Sequence, residues 1–377
     1  MAKRPRGPQE IKLDSKADRI AVPPALPMSD IMGHAVPKRV LNDAMASGRV
    51  HHCWIFQGPQ GVGKFTSAVA FAALLLDPTT ARDFSGAFAA DPDSVVQRLL
   101  RSGSHPDLHV IVKELARFSA DKTIRDSKQK NIPMAVAEEF LLDPASRAAN
   151  LHGGAFASKV FLVDEAELLA RGGDRTQGVL LKMLEEPPAG TVFILCTTAE
   201  DLLLPTIRSR SQRVSFALLS DREMQRWVAS RTQLPAGPEA DWLVSFAAGS
   251  PGVLEAAQTG RLYTWWERLA PMLRALDAGE FRPELAGAMW ECADGWATAW
   301  VEKHPHSSKE SANRDGADWI FRLLAWWNRP SLFTKPLLAA GRIDAIRGAE
   351  RRLDANVNGL FVMEELAGRL SGAAALV

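Results

Sequence analysis

The chain is poor in cysteine, in net charge and in long apolar runs, and each shortage excludes a class of protein. Its 377 residues include three cysteines, none of them in a C-x-x-C pair, so neither a disulfide framework nor a zinc site is indicated. A formal net charge of +1 argues against a globally basic nucleic-acid-binding protein. No run of about 18 apolar residues and no apolar signal core are present. We therefore expect a soluble, cytoplasmic protein with no membrane partner.

The length and the patterning of the chain predict more than one domain. Residues 1–27 are charged and rich in proline, and we expect a flexible tail there. Residues 28–217 alternate apolar strand-like runs with amphipathic helical ones, which is typical of a parallel sheet covered by helices. Beyond them helical patterns dominate, and every tryptophan except Trp54 lies in that part. This predicts a small helical domain at 218–261 and a larger all-helical domain at 262–377.

The stretch GPQGVGKF, residues 58–65, matches a phosphate-binding loop except at its last position. The pattern requires G-x-x-x-x-G-K and then Ser or Thr, because that hydroxyl binds the Mg²⁺ that bridges the nucleotide phosphates. Gly58, Gly63 and Lys64 fit the pattern, Gly61 lies inside the loop, and Phe65 replaces the hydroxyl. A strand before the loop and a helix after it would let backbone N–H groups hold phosphate oxygens.

Two further strands end in polar residues that suit a nucleotide site. VFLVDE ends in Asp164, which could hold Mg²⁺, and Glu165, which could polarise water. TVFILCTT ends in two threonines, and Thr198 could sense a γ-phosphate. Acidic residues at a strand end can also be merely solvated, so the site prediction depends on the phosphate loop beside them.

Five stretches, in their order along the chain, resemble a known family. They are HHCWIFQGPQGVGK, VFLVDEAE, LLKMLEEPP, ILCTT and LLPTIRSRS. Together they resemble the clamp-loader branch of the AAA+ ATPases, and within it the delta-prime subunits of bacterial DNA polymerase III. The resemblance implies an α/β AAA+ nucleotide-fold domain, a helical lid and an all-α collar that joins five subunits in a ring. It also implies gamma/tau and delta subunits as partners, and action on a sliding clamp and primed DNA within the polymerase III holoenzyme.

Three departures from the hydrolysing members of that family concern this chain's own site. Phe65 cannot bind a cation, and Gly252 stands where those relatives carry a lid arginine that reads the γ-phosphate. The stretch between Leu76 and His105, where a four-cysteine zinc module is common, contains no cysteine, so we expect no zinc. We therefore expect no ATP hydrolysis in this site, with Glu165 vestigial, and leave open whether ATP binds there.

An arginine element of the family survives as Ser209, Arg210 and Ser211. The resemblance implies that Arg210 acts in trans, as an arginine finger that neutralises charge on the phosphoryl group in a neighbour's site. Two alternatives remain open at this point. The chain could be an active ATPase motor subunit of the gamma/tau kind, or it could be a scaffold or DNA-binding adaptor whose phosphate loop is vestigial.

Overall fold

A parallel sheet of five strands organises the first half of the chain. The structure is a computed structural model and describes residues 22–125, 131–151, 153–171, 174–231, 233–304 and 308–375. The strands are β1 (Cys53–Gln57), β2 (Ala81–Arg82), β3 (Phe88–Ala89), β4 (Leu108–Ile111), β5 (Lys159–Val163), β6 (Thr191–Thr197) and β7 (Gln212–Ser215). The sheet order is β4-β5-β6-β1-β7 with every pair parallel, and β2 and β3 form a separate antiparallel hairpin.

The central strands are apolar on both faces because helices cover both sides of the sheet. All residues of β5 and β6 are buried. In β1 the side chains alternate between two cores: Trp54 and Phe56 pack on one face, and Cys53 and Ile55 on the other. These three strands confirm the strand predictions made from the apolar runs.

Short helices and turns connect the strands of the first half. The α-helices are α1 (Ala35–Ala46), α2 (Lys64–Leu76), α3 (Val95–Arg101), α4 (Lys122–Arg125), α5 (Met134–Ala137), α6 (Asp143–Ser146), α7 (Leu168–Arg171), α8 (Asp174–Glu185) and α9 (Pro205–Ser209). Three 3₁₀ turns lie at Met28–Asp30, Lys113–Phe118 and Glu200–Leu202, and a π-helical turn at Glu138–Leu142. Helix α2 begins directly after the phosphate loop, as predicted, and α8 ends just before the two prolines that follow it.

The second half is helical, as predicted. Its helices are α10 (Asp221–Arg231), α11 (Pro238–Ala247), α12 (Pro251–Thr259), α13 (Leu262–Asp277), α14 (Glu284–Lys303), α15 (Lys309–Asn328), α16 (Ser331–Thr334), α17 (Pro336–Asp354) and α18 (Gly359–Ala375). One hydrophobic core extends from Leu219 to Leu370 and takes in residues from both sides of position 261. The division into a lid at 218–261 and a collar at 262–377 therefore stays a prediction.

The predicted N-terminal tail lies mostly outside the described residues. Of that tail the structure describes residues 22–27, which have no regular secondary structure. Pro23, Pro24 and Leu26 line a cavity beside the phosphate loop. Within the described ranges, no helix is long and apolar enough to cross a bilayer.

Candidate nucleotide site

The phosphate loop turns from the end of β1 into the start of α2, and two glycines permit the turn. Gly58 has a φ of 151°, and a Cβ there would lie 2.2 Å from the carbonyl oxygen of Phe216. Gly63 has a φ of 101° and is the N-cap of α2. Side chains are excluded from the first position by close approach and disfavoured at the second by backbone strain. The loop thus presents the amino end of α2 to the cavity beside it.

Lys64 is turned back onto its own loop. Its ammonium group donates hydrogen bonds to the carbonyl oxygens of Gly58 and Pro59, each at 2.8 Å. The residue is 8% exposed, and burial lowers its pKa. A nucleotide phosphate would have to draw this ammonium group away from both carbonyls.

The next carbonyls of the loop also have donors within the protein. The hydroxyl of Ser250 donates to Gln60 O at 2.7 Å, Gly252 N donates to Gly61 O at 2.8 Å, and His34 Nε2 donates to Val62 O at 2.8 Å. The sequence did not reveal His34 or Ser250 as loop contacts, because both lie far away along the chain. The loop is thus held from its carbonyl side by α12 and by the N-cap of α1.

Asp164 and Glu165 follow β5 at the same edge of the sheet as the loop, as predicted. Burial and, to a smaller extent, the neighbouring carboxylate of Glu165 raise the pKa of Asp164 to about 6. Glu165 has a left-handed backbone with φ 47°, and its carboxylate pairs with the ammonium group of Lys113 at 3.2 Å. A strained residue at such an edge is typical of functional sites, but here the carboxylate is engaged by a lysine.

Thr198 is held by Glu167, a residue that the sequence prediction missed. The Thr198 hydroxyl donates to Glu167 Oε1 at 2.6 Å, and its backbone N–H donates to the same oxygen at 3.2 Å. Burial would raise the pKa of Glu167, but hydrogen bonds from Thr197 and Thr198 lower it below its usual value. Thr198 therefore lies directly after β6, and its hydroxyl group already donates its proton to the Glu167 carboxylate.

A cavity of about 860 Å³ joins these residues to the helical half of the chain. One wall is the phosphate loop with Asp164 and Thr198, and the opposite wall is α15, which contributes Asp315 and Asp318. Burial and the neighbouring carboxylate of Asp315 raise the pKa of Asp318 to about 7. Basic side chains also line the cavity, namely Lys64, Lys113, Arg231 and Arg314. A triphosphate there would therefore face charges of both signs.

The residues present do not fit a hydrolytic Mg²⁺ site. The side chain of Phe65 lines the cavity and packs against the core beneath α2, so the position that should supply a hydroxyl supplies an aromatic ring. In the part of the chain that the structure describes, no group of three or more His, Cys, Asp or Glu residues could hold a metal ion. The loop keeps the backbone geometry that could bind a phosphate anion. It lacks the side-chain hydroxyl that would bind the Mg²⁺ ion, because Phe65 is at that position.

Arg210 lies at the opposite end of the sheet from the phosphate loop. It directly follows α9, two residues before β7, whereas the loop follows the last residue of β1, which pairs with Ser215. At 3.3 Å per strand residue this separation is roughly 15 Å. The Arg210 side chain is 39% exposed, pairs with Glu185 at 3.3 Å and donates to Thr206 O at 3.2 Å. Arg210 is therefore at an edge of the molecule, away from its own loop.

The segment between Leu76 and His105, for which the sequence predicts no zinc module, forms the β2–β3 hairpin and α3. All three cysteines are buried and free, and burial raises the pKa of the Cys53 thiol to about 12. Asp77, which is fully buried, ties the segment together instead. Its carboxylate accepts hydrogen bonds from Thr79, Ser94 and Gln97. The absence of zinc stays a prediction.

Comparisons with known proteins agree with this geometry. The sequence profile of a family described as "DNA polymerase III, delta subunit" matches residues 33–220. The chain is 30% identical over 200 residues to DNA polymerase III subunit delta' of Pseudomonas aeruginosa, covering 53% of each chain. It is 27% identical over 203 residues to subunit gamma/tau of Mycobacterium tuberculosis, covering 53% of this chain and 30% of that protein. The chain thus spans about half the length, or less, of these curated relatives.

One solved structure also matches most of the chain, at a low TM-score. It is a DNA polymerase III gamma subunit-related protein from Thermotoga maritima, with 19% identity, a TM-score of 0.40 and coverage of 89% of this chain and 97% of that one. The matched sequence region contains the phosphate loop, both acidic residues after β5 and the arginine after α9. Over residues 33–220, just under half of its length, this chain resembles the clamp-loader AAA+ family that includes delta-type and gamma/tau subunits of DNA polymerase III.

Proposed function

We propose that the chain is a clamp-loader subunit of the delta-prime kind, which does not hydrolyse ATP itself and supplies Arg210 to the ATP site of a neighbour. Its partners would be gamma/tau and delta subunits in a five-subunit ring that loads a sliding clamp on primed DNA. The observation that carries the proposal is the separation of Arg210 from its own phosphate loop, to opposite ends of one sheet. An arginine so placed is remote from its own phosphate loop, so a phosphate that it contacts would belong to a site outside this chain.

The side chains of this chain's own nucleotide site also support the proposal that it does not hydrolyse ATP. Phe65 removes the hydroxyl ligand of the cation, and Lys64 is bonded to two carbonyls of its own loop. Arg210, in contrast, is held by an exposed hydrogen bond to Thr206 O and by an ion pair with Glu185 in which both side chains are partly exposed. Exposed ion pairs contribute about 0–1 kcal/mol. Its guanidinium can therefore leave Glu185 for a phosphate at small cost.

One observation favours an active motor subunit of the gamma/tau kind as a second candidate. The chain retains Lys64 and Asp164 at the loop, and it is 27% identical to a gamma/tau subunit over the matched region. ATP turnover by the isolated chain would favour this candidate over the first. A scaffold with a vestigial loop is the third candidate, and it predicts that neither Lys64 nor Arg210 affects activity.

The test of the proposed function is Arg210→Ala in an assembly reconstituted with gamma/tau and delta subunits. The assembly should still form, because a partly exposed loop arginine contributes little packing. Its clamp- and DNA-stimulated ATPase should fall only partly, since one of several sites is affected, although an arginine finger is worth roughly 10³–10⁵ in rate at its own site. Arg210→Lys should rescue poorly, because an ammonium group cannot reproduce the planar fork of a guanidinium.

Arg213→Ala is the matched control. Arg213 lies three residues further on and pairs with Glu200 at 2.7 Å, so its loss removes a nearby surface charge of the same kind. The control assembly should hydrolyse ATP at close to the unaltered rate. If the Arg210→Ala assembly loads clamps and hydrolyses ATP as fast as the control, the trans-acting role is wrong and the scaffold replaces it.

A further inference from the structure

The amino end of α12 is in backbone contact with the phosphate loop, and two glycines make the contact possible. Gly252 N donates to Gly61 O at 2.8 Å. A Cβ on Gly252 would lie 2.9 Å from Gly61 Cα, and a Cβ on Gly61 would lie 2.8 Å from Val253 N. Real Cβ atoms do not approach backbone this closely, so neither position accepts a side chain while the helix lies here.

Ser250, the N-cap of α12, makes a second contact with the loop. An N-cap serine ordinarily accepts a hydrogen bond from an amide in the first turn of its helix. Ser250 is fully buried and has no such bond, and its hydroxyl instead donates to Gln60 O at 2.7 Å. The helix thus lacks a side-chain cap, and it also carries a glycine in its first turn, at the second position of the helix, where a residue with a side chain would stabilise it more. Both features weaken the isolated helix and strengthen its contact with the loop.

Helix α15, in the last part of the chain, also contacts the loop. Arg322, on α15, donates to Gln60 Oε1 at 3.1 Å. Gln60 is therefore bound through its backbone carbonyl by α12 and through its side chain by α15. The phosphate loop is a meeting point of three parts of the fold, which is a structural role distinct from binding nucleotide.

We propose that the phosphate loop of this chain is the docking site of its own helix α12, and that Gly252 is the residue that permits docking. The inference deepens the proposed function and rests on it, since it explains how a subunit without ATP hydrolysis keeps its helical half fixed on its sheet. The helix is closed on the loop whether or not nucleotide is present. A side chain at 252, arginine included, cannot be added without moving α12 away from Gly61.

Hydrogen exchange on the isolated chain tests the docking directly. In the wild type, the amides of Ser250 and residues 252–254 should exchange slowly, Pro251 having no amide proton, and addition of ATP with Mg²⁺ should not change their rates. Gly252→Ala should speed exchange of this segment by about tenfold, because overpacking against backbone favours the undocked state. Ser250→Ala should speed it by a smaller factor, since it removes one hydrogen bond and adds no clash. This second variant keeps the test valid if Gly252→Ala does not fold.

Gly295→Ala is the matched control, since Gly295 is a helical glycine whose added Cβ would meet nothing within 4 Å. It should leave exchange at residues 250–254 unchanged. The docking is refuted if Gly252→Ala and Ser250→Ala both behave like the control, or if ATP alone changes exchange of the wild-type segment. The measurement needs no partner subunit, so a failure of the Arg210 experiment leaves its outcome intact, and a failure here leaves the trans-acting role of Arg210 standing.

Discussion

Phe65 and Lys64 are adjacent residues of the phosphate-loop motif, and their side chains make different contacts in the fold. Lys64 retains the positive charge that could bind a phosphate, but its ammonium group donates hydrogen bonds to the carbonyl oxygens of Gly58 and Pro59. The phenylalanine packs against the core under α2. A motif match therefore identifies the loop correctly, while the side-chain contacts decide whether the loop is available for chemistry.

We predict that the isolated protein hydrolyses ATP no faster than background in a steady-state assay. Phe65→Thr alone should restore little turnover, because Gly252 still leaves α12 without a phosphate contact and Lys64 stays bonded to its own loop. Turnover by the wild type that disappears in Lys64→Ala would contradict the prediction and favour a motor subunit.

Asp164 carries a testable pH dependence. Its pKa is raised from the usual value of 3.8 to about 6, so its ionisation in the folded protein costs stability above that pH. Asp164→Asn should raise the free energy of unfolding by about 1–2 kcal/mol at pH 8, after allowing for partial exposure. The gain should shrink as the pH falls below 6 and vanish below about 4, where the carboxyl group is protonated in both the folded and the unfolded state. Urea unfolding at these pH values measures it.

Glu165→Gln is the control for that series. Removal of the half-exposed Glu165 carboxylate relieves its repulsion of Asp164 but breaks its ion pair with Lys113, so we expect no net gain in stability at pH 8. A gain for Asp164→Asn that stays constant from pH 8 to pH 4 would show that its origin is not the titration of this carboxyl group.

At the scale of elements, the hairpin and helix between α2 and β4 depend on one buried carboxylate. Asp77 accepts hydrogen bonds from three side chains and a backbone amide, which lowers its pKa although burial alone would raise it. Hydrogen bonds to this charged group connect the start of the segment with α3. The sequence shows that this stretch has no cysteine, but it did not predict the hydrogen bonds of Asp77.

Asp77→Ala should destabilise the protein by about 2–4 kcal/mol and loosen the β2–β3 segment, since buried donors are left without an acceptor. Urea unfolding measures the first effect, and limited proteolysis between residues 78 and 105 measures the second. Asp83→Ala is the control: Asp83 makes the same kind of contacts with Ser85, but in an exposed turn. Equal effects of the two substitutions would contradict the special role of Asp77.

At the scale of the whole molecule, one core joins the helices beyond the sheet, and a buried arginine lies in it. The Arg342 side chain is 0% exposed, donates to Asp277 at 2.8 Å and stacks with its guanidinium 4.0 Å from the ring centre of Trp327. Asp277 ends α13, Trp327 lies near the end of α15, and Arg342 lies in α17. A single side chain thus links three helices.

Arg342→Ala should lower the free energy of unfolding by about 2–4 kcal/mol, chiefly through the cavity that it leaves among these helices. Tryptophan fluorescence during urea unfolding is the measurement, because nearly all tryptophans lie in this half of the chain. Arg329→Ala, at the exposed end of α15, should leave the unfolding midpoint unchanged. Equal midpoints for the two variants would show that Arg342 contributes no packing.

The sequence by itself determined the central strands, the phosphate loop and the helical second half. Buried parallel strands need unbroken apolar runs, and a phosphate loop needs glycines at fixed spacing, so both leave a local record. The apolar patterns of β4 and β7 are too weak to predict strands: both are short edge strands, formed by pairing with β5 and β1.

Only the tertiary structure decided what contacts the loop. His34, Ser250, Gly252 and Arg322 reach it from positions distant in the chain, and Glu167 takes the hydroxyl of Thr198. Such contacts depend on how the helices pack against the sheet, and no spacing rule along the chain encodes them. For the same reason the sequence could identify Arg210 by resemblance, whereas its distance from its own loop follows from the order of β1 and β7 in the sheet.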